Sequence, residues 1–158
     1  MATRIYIEDN KIYFVDVETE AIKLSDLVVD ISSFATLTGV ETLTNKRITK
    51  RVVSITTSAT PTPNGDITDI YTVTALAAAT ATFGAITGTP TIGQTLIIRI
   101  KDNGTARILA WNNGVGGYRA GTDIALPTTT VINKTMYLGF IYNVADSKWD
   151  LVGYVDNI

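Results

Sequence analysis

Aspartate pairs are the side chains in this sequence with the potential for chemistry, because the chain contains neither histidine nor cysteine. It therefore lacks an imidazole general base, a thiol nucleophile and a thiolate zinc site. Asp66 with Asp69 near a turn, and Asp146 with Asp150 around the last hairpin, are the remaining carboxylate pairs. A glycosidase holds two carboxylates at a defined distance, which residues three or four apart within turns do not specify. Aspartate is common in turns for structural reasons, so we expect no catalytic residue and a protein that is not an enzyme.

Metal and cofactor sites are not indicated either. Gly114–Gly117 does not match the dinucleotide-binding pattern and precedes no predicted helix. Asp66 and Asp102 lack the spaced oxygen ligands of a calcium-binding loop. We therefore expect no metal and no cofactor, and we interpret the glycine-rich stretch as a flexible surface loop between strands.

Aromatic residues offer a second kind of binding chemistry, since sugars present apolar faces to aromatic rings. Trp111, Tyr118 and Arg119 flank the glycine-rich loop, and loops carry binding sites more often than strands do. These three residues are the candidate ligand contacts, with a host surface glycan as the ligand. Trp149 alternates onto the inward face of its strand, so core packing is expected for it.

The net charge and hydropathy of the chain restrict the classes of partner that it can bind. A net charge of -2 and a pI near 5.0 give no electrostatic footprint for nucleic acid. Glu8 and Asp9 stand where a signal peptide would be apolar, and residues 75–88 are too short and too small in side chain to span a bilayer. We expect a soluble, unprocessed chain with no nucleic-acid partner and no membrane insertion.

A small β arm is predicted for residues 1–33. The β-prone runs Arg4–Ile7 and Lys11–Val15 surround a turn at Glu8–Asn10, and Ala21–Leu24 and Leu27–Ile31 could add short strands. So few residues cannot bury a self-sufficient core, so this arm should be supported by another subunit or by a docking partner. The predicted anchor and assembly residues are Ile5, Tyr6, Ile7, Ile12, Tyr13 and Phe14.

Residues 34–50 read as an extended threonine-rich linker or a strand that wraps neighbouring chains, and residues 51–158 as a β domain. In the domain, Leu96, Ile98 and Ile100 should face the core, and a turn at Asp102–Thr105 should lead into a returning strand. A helical turn is plausible only at Ala75–Ala81. Hardly any helical period occurs, so the predicted fold is all-β: an antiparallel β-sandwich or jelly-roll-like domain preceded by the hairpin arm.

The clearest hairpin closes the domain. Its strands run from Met136 to Tyr142 and from Lys148 to Tyr154. Strict alternation puts Leu138 and Phe140 on one face of the first strand, and Trp149, Leu151 and Gly153 on one face of the second.

Three stretches of the chain resemble a family of bacteriophage virion-appendage domains. They are Glu41–Ile48 with its E-T-L-T-N-K, Gly93–Arg107 with R-I-K-D-x-G-T-x-R, and Tyr137–Val152 with Y-L-G-F-x-Y-N-x-x-D-x-K-W-D-L. The resemblance covers about residues 41–155, and its final hairpin is its most specific part. No shaft repeats are present, and residues 1–33 match no fibre-anchoring pattern of this family.

The resemblance implies a non-enzymatic virion protein on the surface of the phage particle, commonly a homotrimer. The absence of a shaft favours a short capsid decoration protein or head fibre, anchored by residues 1–33 on the major capsid protein or on tail or baseplate proteins. The alternative is a tail-fibre tip or receptor-binding protein that recognises host cell-surface carbohydrate.

Overall fold

A computed structural model describes residues 3–9, 11–16, 29–30 and 47–158. The chain divides into two compact units, Met1–Arg47 and Ile48–Ile158. Residues 34–46 of the predicted linker lie outside the described residues.

The N-terminal unit contains the predicted hairpin. Strand β1 (Thr3–Glu8) pairs antiparallel with β2 (Lys11–Asp16), and β2 pairs antiparallel with β3 (Val29–Asp30). The turn is made by Asp9 in the left-handed region, at φ 49°, a conformation that aspartate tolerates better than most residues. The predicted strand at Ala21–Leu24 lies outside the described residues.

The C-terminal unit is built of strands, which confirms the all-β class; none of the described residues is helical. The helical turn expected at Ala75–Ala81 is wrong, because this stretch is the end of one strand, a short connection and the start of the next. The strands are β4 (Val52–Ile55), β5 (Ile70–Leu76), β6 (Thr80–Phe83), β7 (Thr95–Asp102), β8 (Ile108–Trp111), β9 (Tyr118–Arg119), β10 (Thr135–Asn143) and β11 (Lys148–Val155).

The first part of this unit winds like a β-solenoid. The chain passes from β5 to β6 to β7 to β8, and these strands belong alternately to a six-stranded sheet and a two-stranded sheet. Neighbours from successive turns run parallel, with Val73 of β5 opposite Ile100 of β7 and Phe83 of β6 opposite Trp111 of β8. Because β4 also lies parallel to β5, the expectation of an antiparallel sandwich or jelly roll is corrected to a solenoid-like winding.

The strand after Asp102 does not return beside β7 as predicted. Strand β8 pairs with β6 in the second sheet instead. The turn chemistry was predicted correctly, since the Asp102 carboxylate accepts the Gly104 amide at 2.7 Å. This bond fixes the start of the connection, and the connection carries the chain into the other layer.

The closing hairpin of β10 and β11 is confirmed, and it extends the six-stranded sheet in the order β4-β5-β7-β10-β11-β9. A bulge lies between Gly139 and Phe140, so that Gly139 faces Gly153 while Phe140 faces Leu151. A bulge adds a residue to one strand and breaks its alternation. Gly153 therefore lies on the outward face with Gly139, which corrects its predicted place beside Leu151.

The core lies between the two sheets. Leu96, Ile98 and Ile100 are fully buried, as predicted, and so is Trp149. Strands β6 and β8 close the second side of the core with Ala81, Phe83 and Leu109. The remaining buried apolar residues are Tyr71, Val73, Leu76, Ile86, Tyr118, Met136, Leu138, Phe140 and Leu151.

Candidate functional site

The predicted anchor residues face one another across the N-terminal hairpin. Its register places Ile5 opposite Phe14, Tyr6 opposite Tyr13 and Ile7 opposite Ile12. All six predicted anchor residues thus form three consecutive cross-strand pairs, the unit by which side chains stabilise a sheet. Every member of these pairs is aliphatic or aromatic, so this hairpin concentrates apolar residues in a small unit.

The predicted ligand contacts Trp111, Tyr118 and Arg119 do not form an exposed aromatic patch. Tyr118 is only 1% exposed, and burial raises the pKa of its hydroxyl. The Trp111 ring stacks on Phe83 at 4.4 Å between centroids and meets the edge of Tyr118 at 5.1 Å. Its indole N–H donates to the Pro127 carbonyl at 2.8 Å. Packing in the core is therefore the main role of Trp111 and Tyr118.

The glycine-rich loop explains why Tyr118 turns inwards. A Cβ on Gly117 would lie 2.4 Å from the Asn112 carbonyl oxygen, so this close turn requires glycine. The Tyr118 amide then donates to that carbonyl at 2.7 Å, and the Lys148 ammonium donates to the carbonyls of Asn113 and Gly114. These hydrogen bonds fix the base of the exposed loop and direct the Tyr118 side chain into the core.

Arg119 is the centre of an ion-pair network with the closing hairpin. Its guanidinium donates to both carboxylate oxygens of Asp150, at 2.7 and 2.9 Å, and lies 2.8 Å from Asp146. Arg119 and Asp150 are partners in the parallel pairing of β9 with β11, so the sheet register itself brings them together. The hydrogen bonds that Arg119 donates lower the pKa of Asp150, and its hydrogen bonds to Asp150 and Asp146 raise the pKa of Arg119.

The aspartates considered for catalysis form structural bonds. The Asp69 carboxylate accepts hydrogen bonds from the Arg51 guanidinium at 2.7 Å and from the Arg51 backbone amide at 2.8 Å. The side-chain hydrogen bond from Arg51 is the main cause that lowers the pKa of Asp69 to about 2. Asp66 accepts the Thr89 amide at 2.7 Å and the Thr89 hydroxyl at 3.1 Å. Across the described part of the chain, no three acidic side chains are grouped closely enough to hold a metal ion.

Asp102 is a buried carboxylate that the sequence patterns did not distinguish. It is 2% exposed and accepts the Thr130 hydroxyl at 2.6 Å and the Asn133 amide at 3.1 Å, besides the Gly104 amide. Burial acts to raise the pKa of Asp102, but these hydrogen bonds together with one from the Thr105 amide outweigh it, and the pKa is lowered. Asp102 therefore fastens the loops on both sides of β8 as a charged acceptor.

A surface cleft of about 570 Å³ lies beside the end of β11. The Tyr154 hydroxyl donates to Asp156 at 2.5 Å in this cleft. That hydrogen bond is the main cause that raises the pKa of Tyr154 to about 12. The remaining lining comes from residues 123–129 and Val131, so the cleft combines two carboxylates with aliphatic side chains.

No protein-family model matches the chain, and no curated protein or solved structure is significantly similar to it. Within the residues that the structure describes, no helix is both long and apolar enough to cross a membrane.

Proposed function

We propose that this chain is a non-enzymatic structural protein of a bacteriophage particle, a short trimeric capsid decoration protein or head fibre anchored by its N-terminal segment. The observation that carries the proposal is that the chain divides into two compact units, which differ in their apolar residues. A hairpin with three apolar cross-strand pairs belongs to the smaller unit, and the larger unit has its own continuous core.

The N-terminal unit has the properties expected of an anchor. A unit of this size gains too little from its own burial to be stable alone, and binding to a partner supplies the missing stabilisation. Its register pairs six large apolar residues across two strands, which suits contact with an apolar surface of a major capsid protein or of a neighbouring copy.

The larger unit has the properties expected of an outward module. Its carboxylates at Asp66, Asp69, Asp102 and Asp150 are engaged in hydrogen bonds or ion pairs with the fold. Such groups stabilise loops rather than present a reactive acid and base pair. A stable module without reactive machinery fits a protein whose role is to assemble.

The alternative role, a tail-fibre tip that recognises host carbohydrate, has one observation in its favour. The cleft beside Tyr154 combines hydroxyl and carboxylate groups with aliphatic side chains, as sugar sites do. Burial of Tyr118 removes one member of the contact set first expected, so a glycan contact is better sought in this cleft than at the glycine-rich loop.

Binding to capsids tests the proposal. Undecorated capsids of the phage that encodes the chain are mixed with the full chain, and bound protein is measured by co-sedimentation. We expect saturable binding by the intact chain and at least a tenfold loss, about 1.4 kcal/mol, for the double variant Ile7→Lys, Ile12→Lys, because two ammonium groups replace one apolar cross-strand pair.

The matched control for this experiment is Ile92→Lys, Val115→Lys, which places the same two charges at exposed sites of the larger unit. Equal binding by the hairpin variant and the control would contradict the anchor assignment. Antibody labelling of intact particles that marks only the tail tip would favour the receptor-binding alternative.

A further inference from the structure

The six-stranded sheet carries a cluster of apolar side chains on its outward face, opposite the core, where Arg99 and Lys101 alternate with Ile97 along one strand. On its central strands, Ile97, Tyr137 and Ile141 are each 38% exposed, and Val152 and Val155 are 54% and 50% exposed. Strand alternation explains the inward neighbours of these residues, but it does not require the outward positions to be apolar. A contiguous apolar patch of this kind marks an interaction surface more often than isolated apolar residues do.

Two glycines form a groove at the centre of this face. Gly139 and Gly153 lie opposite each other on β10 and β11, and neither has a positive φ. An added Cβ would have no atom within 4 Å at Gly153, and its nearest neighbours at Gly139 would be 3.8 Å away. The fold of a single chain therefore does not require glycine at either position, although glycine weakens a strand.

Glycine in a strand often marks a place where another backbone or ligand approaches closely. Here the missing side chains leave a groove of about 320 Å³ beside Ile97, Tyr137, Val152 and Val155. These apolar side chains stand next to the groove on the same face. The face thus contains both a groove and the ridges that would fill a similar groove.

The lack of charged side chains in the groove restricts which partner can occupy it. No charged side chain lines the groove, and the nearby Arg99 guanidinium lies over the Tyr137 ring, 5.9 Å from its centroid. The groove itself therefore offers no charged group to a nucleic acid or to an acidic peptide. The groove fits an apolar partner surface. The apolar ridges on the same face of a second copy of the chain provide such a surface.

The size of the face is compatible with contact between copies. The six strands contain two to nine residues each, and with about 4.8 Å between strands and about 3.3 Å per residue they cover roughly 600 Å² in projection. Stable dimers bury about 800 Å² per partner, so the face alone supports a reversible contact rather than a permanent one.

We propose that the outward face of the six-stranded sheet is a contact surface between copies of this chain, with the Val152 and Tyr137 ridges of one copy in the Gly139–Gly153 groove of another. The contact deepens the proposed assembly role, on which its biological setting rests. Groove and ridges can meet around a two-fold or a three-fold axis, since a heterologous contact also closes into a ring.

Sedimentation equilibrium of the full chain over a concentration series tests this contact. Gly153→Trp fills the groove from an open position, and Val152→Lys adds a charge to the ridge. We expect each substitution to weaken self-association about tenfold or more, with an unfolding midpoint in urea no lower than that of the parent for Gly153→Trp, because an aromatic residue favours a strand more than glycine does. Ile92→Lys is the control, at an apolar residue that is 76% exposed outside the strands, and it should associate like the parent.

Self-association that is the same in the parent and in both face variants would overturn the proposal, and so would a parent chain that is monomeric at all concentrations measured. Loss of capsid binding by the face variants without any self-association of the parent would assign the face to a capsid protein, which also overturns it. Capsid binding by the parent is scored separately. Its failure with self-association intact would count against the proposed function but not against this contact.

Discussion

Charged side chains in the larger unit hold loops to strands. Asp102 joins the loops on both sides of β8, and Arg119 joins β9 to the end of the closing hairpin through Asp146 and Asp150. A buried carboxylate is tolerated only when hydrogen-bond donors replace its water, and Asp102 has such donors from both loops. Polar residues in this unit therefore determine where the chain turns.

The ion pair between Arg51 and Asp69 should make stability depend on pH. The pKa of Asp69 is lowered to about 2 in the folded chain, against an ordinary value near 3.9 in an unfolded one. Its contribution is therefore fully present above about pH 4 and is lost as the pH falls towards 2. We expect Arg51→Gln to lower the free energy of unfolding at pH 7 and to leave it closer to the parent at pH 2.5, as measured by urea unfolding monitored by tryptophan fluorescence.

The control for this measurement is Arg107→Gln, since Arg107 contacts the neutral side chain of Asn103. Its effect should not change between the two pH values. An equal effect of Arg51→Gln at pH 7 and pH 2.5 would contradict the linkage to Asp69.

For single residues, the local sequence pattern predicted the alternation of buried and exposed side chains along strands. It did not predict which side chains next to loops are exposed. Leu96, Ile98 and Ile100 were predicted to be buried because a strand alternates without reference to its partners. Tyr118 was predicted to be exposed because it follows a glycine-rich stretch, yet the close turn at Gly117 directs it into the core. Two donors that stabilise Asp102, the Thr130 hydroxyl and the Asn133 amide, come from residues far along the chain, so the local pattern indicated its turn but not its burial.

At the scale of elements, β6 and β8 cover one side of the core with only four residues each. The alternation of β8 separates Leu109, which is 3% exposed, from its neighbour Ile108, which is 55% exposed. Phe83 and Trp111 stack across the same pair of strands, and such stacking adds about 0.5–1.5 kcal/mol beyond burial. The short second sheet is therefore essential to the fold.

Adjacent alanine substitutions in β8 test this layer. Leu109→Ala should lower the free energy of unfolding by about 2–5 kcal/mol, because it leaves a cavity between the sheets. Ile108→Ala should change it by less than about 0.5 kcal/mol, as surface substitutions do. Urea unfolding of both variants measures the difference, and similar losses would contradict the inward orientation of Leu109.

The strand pairings predicted correctly are those of the two hairpins, since a hairpin brings together residues that are adjacent in sequence. Parallel pairs such as β5 with β7 were missed, because their partners are joined by a whole turn of winding through the other sheet. Successive turns also differ in length, so no fixed repeat signals them. The strand after Asp102 was assigned to a hairpin for the same reason: the turn is local, whereas the choice of partner is not.

At the scale of the whole molecule, the described core belongs to residues 53–154, within the larger unit. The chain 48–158 should therefore fold alone. We expect a single cooperative urea transition with a slope of about 1–3 kcal/mol/M, and a dispersed amide spectrum. The fragment 1–47 should give no cooperative transition, because a chain of this size cannot bury enough surface. A fragment 48–158 that lacks a cooperative transition would contradict the independence of the larger unit.

The order of strands in the six-stranded sheet constrains when this protein can fold during its synthesis. Strands β10 and β11 are translated after β7 and β9, yet they lie between these two strands in the sheet. Until the ribosome releases them, one edge of β7 has no neighbour, and Tyr118 lacks the cover that Phe140 and the strand of Trp149 provide. A hairpin forms within microseconds, so completion of the sheet should follow release promptly, whereas a product truncated before Thr135 would expose apolar surface to proteases and chaperones.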